Sequence, residues 1–110
     1  MSFEKVVTVD ANNPPIWDKT LQNVIIGRFI ERKDHIGSKD GSMAMLENAD
    51  KTKQYAVWLS TVLENCFKDI VIGNVVRIKY LGLAKDKYFN FEVSIGEEED
   101  LTEEMLSKEE

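Results

Sequence analysis

The stretch from Gln54 to Gly82 constrains this chain more than any other. It reads Q-Y-A-V-W-L-S-T-V-L-E-N-C-F-K-D-I-V-I-G-N-V-V-R-I-K-Y-L-G. Tyr55, Val57 and Leu59 alternate with Ala56 and Trp58, which is the period of a half-buried strand. Ser60 and Thr61 supply capping hydroxyls. Thr61-x-x-Glu64 fits a capping box, in which the hydroxyl and the carboxylate each satisfy a free backbone donor. Val62, Leu63, Cys66 and Phe67 follow at helical spacing, Gly73-Asn74 marks a turn, and Val75 to Tyr80 resumes strand alternation. The spacing therefore predicts a strand, a short helix, a turn and a second strand.

The flanks supply more strand. Ser2 to Val9 is β-leaning and reads as an arm or an added edge strand, and Ala11 to Pro15 is a cluster of breakers. Trp17 is expected to fold back over one end of the core, with ligand stacking as the alternative. Leu21 to Ile30 reads as the first long strand. Val24, Ile26 and Ile30 fall on one face, Ile25, Gly27 and Phe29 on the other, and the bend is expected at Gly27. Glu31 to Ser42 reads as a polar hairpin loop made cationic by Arg32, Lys33 and Lys39. Met43 to Leu46 is a short strand, Asn48 to Lys53 a turn. Beyond Gly82 comes a second cationic loop with Lys85 and Lys87. Tyr88 to Ile95 is the last strand, with Phe89, Phe91, Val93 and Ile95 expected in the core.

This is an all-β pattern, β-rich with one short helix. Five strands with a helix between the third and fourth are the layout of an OB-fold barrel, whose binding groove is rimmed by the loops between strands one and two and between strands four and five. Residues 1–15 then form an arm, 16–96 the OB-fold domain and 97–110 an acidic tail. The net charge of -6 comes from that tail: Glu97 to Glu110 holds eight acidic residues and one Lys, against 13 basic and 12 acidic residues elsewhere. Such a block repels itself and is expected to be disordered. Leu101, Met105 and Leu106 would make its one short apolar helical face.

Several function classes drop out. One His and one Cys exclude a zinc site of the Cys/His type in a single chain. Cys66 falls on the apolar side of the helix and reads as a small buried hydrophobe, and His35 as a solvated loop residue without catalytic companions. No P-loop, GxSxG or HExxH pattern occurs. Neither enzyme activity nor a cofactor is expected. No apolar run approaches the roughly 18 residues of a membrane span, and the N-terminus lacks a signal-peptide pattern, so no membrane association and a cytoplasmic location are expected.

What remains is a set of aromatic and basic positions. Trp58 opposes the Tyr55–Val57–Leu59 face. Arg77 and Lys79 oppose Val76, Ile78 and Tyr80, and Tyr88 opposes Phe89 and Phe91. If the apolar sets face inward, Trp58, Arg77, Lys79 and Tyr88 share one outer groove, with Arg32, Lys33, Lys39, Lys85 and Lys87 on its rims. Cations that track a backbone and flat rings that stack on bases are what single-strand binding uses. The plainer alternatives are that Trp58 plugs the barrel mouth and that Arg77 and Lys79 are solvated strand positions.

With these residues in view, the chain resembles small phage-encoded OB-fold single-stranded DNA-binding proteins over roughly Trp17 to Val93. The resemblance is carried by Trp17, by Gly27, by Y-A-V-W-L-S-T-V-L at Tyr55 to Leu63, by Gly73 to Gly82, and by the aromatic strand from Tyr88 to Val93. It implies a non-catalytic, sequence-tolerant single-stranded DNA-binding protein of phage replication or recombination. The tail would compete for the groove and recruit replication or recombination proteins. Leu101, Met105 and Leu106 would be the docking element, because the chain ends in Ser107-Lys108-Glu109-Glu110 without an aromatic or hydrophobic tip. An OB-fold protein-interaction module without nucleic-acid binding is the alternative, and RNA binding by the same groove a further one. Ser2 to Val9 can pair with its own sheet or with a neighbouring subunit, which leaves a homo-oligomer open.

Overall fold

The computed structural model describes residues 15–36, 41–84 and 88–109. The Ser2–Val9 segment, Lys39, Lys85 and Lys87 lie outside the described residues. The elements are β1 (Val24–Ile36), β2 (Gly41–Glu47), β3 (Gln54–Trp58), α1 (Thr61–Phe67), β4 (Val75–Ala84), β5 (Tyr88–Gly96), a single 3-10 turn (Glu98–Asp100) and β6 (Leu106–Ser107). All strand pairs are antiparallel, in the order β3-β2-β1-β4-β5, and β6 adds to β1. The result is a β-rich fold with one short helix and an open antiparallel sheet, compatible with a barrel-like closure.

Alternation sorts the side chains. Ile25, Phe29, Ala44, Leu46, Val57, Val76 and Ile78 point into one buried cluster, which Leu63 and Phe67 of α1 complete. Phe29 and Phe67 meet edge to face with ring centroids 5.2 Å apart, which fixes α1 against β1. Between β3 and β5, Pro15 to Trp17 fill the gap. Ala56 N donates to Pro15 O at 2.9 Å, Trp17 N donates to Ala56 O at 2.8 Å, and the Trp17 ring lies 6.2 Å from that of Phe91 on β5. Trp17 is buried, as a residue covering one end of the core should be.

Four local expectations are corrected. The polar run from Glu31 is strand, because Glu31, Arg32 and Lys33 pair in register with Met45, Ala44 and Met43, and β1 runs on to Ile36. Backbone pairing outweighs the polarity of an exposed strand face. The irregularities in β1 fall between Phe29 and Glu31 and between Lys33 and Ile36, not at Gly27. Gly27 instead permits close approach: a Cβ there would lie 2.8 Å from Leu46 Cβ and 2.9 Å from Met105 Cε. The capping box does not form. Ser60 is the N-cap, its hydroxyl makes no cap bond, and the Glu64 carboxylate takes Arg32 instead. On β5 only Phe91 and Val93 pack against the core, while Phe89 and Ile95 are exposed.

The largest correction concerns the acidic tail, which is ordered and folded onto the sheet. Arg28 donates to Glu98, whose carboxylate is held below its ordinary range first by that bond. Arg28 also pairs with Glu47, and between the two carboxylates its own pKa is pushed well up, Glu98 contributing first. Leu101 and Met105 are buried. Ala49 N donates to Thr102 O at 3.2 Å, Asn48 Nδ2 to Glu103 O at 3.1 Å, and Ile26 N to Met105 O at 2.9 Å. Leu106 and Ser107 then pair with Ile25 and Val24, on the length of β1 that β2 leaves unpaired. The acidic side chains point outward while the apolar ones between them fill the core, so self-repulsion does not prevent folding.

Candidate nucleic-acid interface

Trp58 is the most conspicuous candidate and it stands on the outer face. It pairs with Met43 across β3 and β2, and Met43 pairs with Lys33 of β1. Met43, Met45 and Ala56 form a second buried cluster on this face, with Ile30 and Ile36 packed against it. The indole sits at the edge of this platform, 44% exposed, over Gly41, where an added Cβ would come within 2.7 Å of Trp58 Cζ3. A side chain at position 41 would push the ring away, so glycine there fixes where the indole lies. Lys33 is half-buried on the neighbouring strand.

A polar network occupies the other face of the same strands, on the side of α1. Arg32 donates to Asp34 at 2.9 Å and to Glu64 at 2.7 Å, and Ser42 Oγ donates to Asp34 Oδ1 at 2.6 Å. These bonds, Ser42 first and Arg32 second, hold the Asp34 carboxylate below its usual range. They tie β1, β2 and α1 together and leave Arg32 already paired. His35, the last residue but one of β1, is exposed and at a φ of 59°, a left-handed conformation uncommon outside glycine.

Arg77 and Lys79 lie elsewhere. They share the outer face with Trp58, but Arg77 pairs with Ile26 whereas Trp58 aligns, through Met43, with Lys33. Along the sheet the two positions are separated by roughly 20 Å in the strand direction and about 14 Å across it. The structure does not bring Trp58 and the Arg77–Lys79 pair into one groove. Arg77 Nη2 donates to Glu109 Oε2 at 2.5 Å, and Lys79 Nζ lies 3.5 Å from Glu109 Oε1. Asn23 clasps the Glu109 backbone from both sides, Nδ2 donating to its carbonyl and Oδ1 accepting its N–H, each at 2.7 Å. Arg77 first, then Lys79, holds the Glu109 carboxylate below the ordinary glutamate range. A pocket of about 340 Å³ adjoins Arg77, but with Ile26, Ile95 and the Asp100 carboxylate in its wall it is a poor receptor for a phosphate.

The remaining candidates divide in two. Tyr88 is opposite Ala84 at the end of the β4–β5 pairing, and Lys39, Lys85 and Lys87 are undescribed. Leu101 and Met105 are buried in the chain's own core and Leu106 is half-buried against it, so they do not form an exposed docking face. Sequence reasoning missed three features of this surface. The Met43–Met45 cluster was hidden because Met43 to Leu46 is apolar at every position. Glu109 was invisible among other acids, and Phe89 was assigned inward by alternation alone. Among the described residues no three His, Cys, Asp or Glu side chains are grouped to hold a metal, and no helix is long and apolar enough to cross a membrane.

No protein-family model, no curated protein and no solved structure matches this chain.

Proposed function

We propose that the chain is a sequence-tolerant single-stranded DNA-binding protein of OB type, which holds the strand on the outer face of β2 and β3. The observation that carries this reading is Trp58: a large exposed ring, seated on Gly41 at the edge of an apolar platform, with Lys33 on the same face one strand beyond Met43. Support for the OB arrangement comes from the strand order and from the helix between β3 and β4. In that fold the face of strands two and three is the one that takes oligonucleotides. A ring exposed there offers a base a stacking partner without reading its identity. A strand long enough to run on from Trp58 across β1 reaches Arg77 and Lys79, and there Glu109, a carboxylate already seated on both, is its in-cis competitor. Recruitment of partners through Leu101 and Met105 is not part of it. The setting that accompanies this function is phage DNA replication or recombination in the host cytoplasm.

The test uses a Trp17→Phe background, in which the only indole left is Trp58, titrated with oligothymidine at several salt concentrations. Quenching that weakens with salt is expected, with a log–log slope of about 0.7 per phosphate contacted. Trp58→Ala is expected to weaken binding by about 1–3 kcal/mol, the worth of one stacked base. No quenching and no binding at low salt refutes the reading. The second reading, a protein-interaction module, is favoured by one observation: Arg32, Arg77 and Lys79 each already face a carboxylate. That reading gains if Trp58 stays unquenched while Trp58→Ala leaves the fold intact.

A further inference from the structure

The far end of the sheet carries a second aromatic surface. β4 and β5 stay paired from Tyr80 opposite Phe91 to Ala84 opposite Tyr88, whereas β1 begins at Val24, opposite Lys79. The two strands therefore project past β1 as a ribbon, and an isolated ribbon of two strands is only marginally stable in water. This one nevertheless exposes apolar side chains: Phe89 is 41% and its cross-strand partner Leu83 55% exposed. Phe89 lies on the same face as Phe91 and Tyr80, and Tyr80 meets both, with ring centroids 6.0 Å from Phe89 and 5.4 Å from Phe91. The Lys19 ammonium sits 4.2 Å from the Phe89 centroid and 5.4 Å from that of Tyr80.

Lys19 is held where it is by its own turn. The Trp17 indole donates to Gln22 O at 2.7 Å, the backbone N–H groups of Leu21 and Gln22 donate to Asp18 O, and Thr20 donates to the Asp18 carboxylate from both its N–H and its hydroxyl. A stiff turn thus delivers a flexible cation onto an exposed ring.

We infer that Phe89, Tyr80 and Lys19, which lie on the core-side face of the sheet and so opposite the face that carries Trp58, form a second base-stacking subsite for the same single-stranded nucleic acid where a long strand wraps past the end of the sheet, an inference that rests on the single-strand reading above. An exposed cation–π contact is worth about a two- to five-fold factor, a stacked base about five- to 150-fold. A base therefore displaces the ammonium from the Phe89 face. The freed ammonium stays on its tether beside the ring, where the phosphate of the stacked nucleotide offers it an opposite charge. Tyr80 keeps the ring from turning, and Leu83 covers the flank of the stack. A purely apolar partner would instead have to strip water from the ammonium with nothing to replace it, so the charge in the middle of the patch favours a polyanion carrying flat rings.

The test moves the reporter. In a Trp17→Phe, Trp58→Phe, Phe89→Trp chain the only indole is at position 89, and oligothymidine is expected to quench it. In the Trp17→Phe chain, Phe89→Leu keeps the apolar bulk and loses the flat ring, and it is expected to weaken binding of a long oligothymidine by about five-fold or more. The same substitution should leave a short oligothymidine that reaches only Trp58 unaffected. Lys19→Gln should reduce the salt slope. A silent position 89 with normal quenching at Trp58 overturns the subsite alone and leaves this face to a protein partner. No quenching at either position and no binding overturn both readings.

Discussion

Met105 decides whether the last residues of this chain are a tail or a part of its fold. Its side chain is 1% exposed and belongs to the main cluster with Ile25, Leu46 and Val76. Its methyl end fills the space that a side chain on Gly27 would otherwise take. Met105→Ala removes everything beyond Cβ from that space. Burial losses of this kind cost about 2–5 kcal/mol, and less where the surroundings can collapse. The segment from Leu101 to Ser107 is held on one side only, by backbone bonds to β1 and to the turn after β2, so partial collapse is available and about 2–3 kcal/mol is expected. With a urea dependence of roughly 1–3 kcal/mol per molar, the unfolding midpoint should fall by about 1 M. The thermal midpoint should fall by about 10 °C or more. Glu104→Ala, at an exposed neighbour, is the control and should stay within about 0.5 kcal/mol. Hydrogen exchange supplies a local readout, since Ile26 N–H is bonded to Met105 O and should exchange faster in the variant. An unchanged midpoint together with unprotected Ile26 N–H would show that the 97–109 segment is detached in solution and that its packing against β1 is wrong.

Two further perturbations address the surfaces. The Glu109 carboxylate is held below its unfolded range, chiefly by Arg77, so its contact with Arg77 and Lys79 is fully present above about pH 4.5 and is lost as pH falls through the lower folded value. The Asn23 side-chain amide resonances, followed by NMR, should therefore shift in acid, and Glu109→Gln should abolish that transition while tightening oligothymidine binding at low salt. Gly82 has a φ of +98° with open space around it, so Gly82→Ala adds backbone strain without a clash. It should cost about 1–3 kcal/mol, read as a lowered thermal midpoint, with faster exchange concentrated in the β4–β5 ribbon.

The parts of the fold legible in the sequence are those where one local signal has a single meaning. Alternation in Gln54 to Trp58 put Val57 inward and Trp58 outward, and the spacing of Leu63 and Phe67 gave the buried face of α1. Where two signals competed, reading failed. Glu31 to Lys33 are polar and lie in a strand because β2 offers them a register, which no local pattern contains. Alternation along β5 is real, but Phe89 and Ile95 lie near its two ends, where core no longer faces them. Capping-box spacing at Thr61 and Glu64 was present, yet Arg32 took the carboxylate. The site divided in the same way: that Trp58 opposes the Val57 face could be read from β3 alone, but whether the ring is exposed there or plugs the barrel mouth could not, because that depends on what covers the outer face. The distance of Trp58 from Arg77 and Lys79 depends on how many residues of β1 separate Lys33 from Ile26 across a bulge.

The described segments before β1 and after β5 do similar work. Pro15 to Trp17 close the side of the sheet next to β3, and Leu101 to Ser107 close the edge of β1 that β2 does not reach. Sheet edges left open invite other strands, and both closures also bring an apolar side chain, Trp17 or Met105, into the same core. A truncation at Gly96 would therefore remove core packing, an edge strand and the Glu109 carboxylate at once. Any change in ligand binding it produced would mix lost competition with lost stability. Glu109→Gln separates them, because the carboxylate is exposed and contacts only surface groups, so β6 and Met105 remain in place. If the competition reading is right, this single substitution reproduces the tighter binding of a truncated chain without its lowered unfolding midpoint. If binding changes only when Met105 is lost as well, the C-terminal segment is a structural strand and Arg77 and Lys79 are bystanders to the ligand.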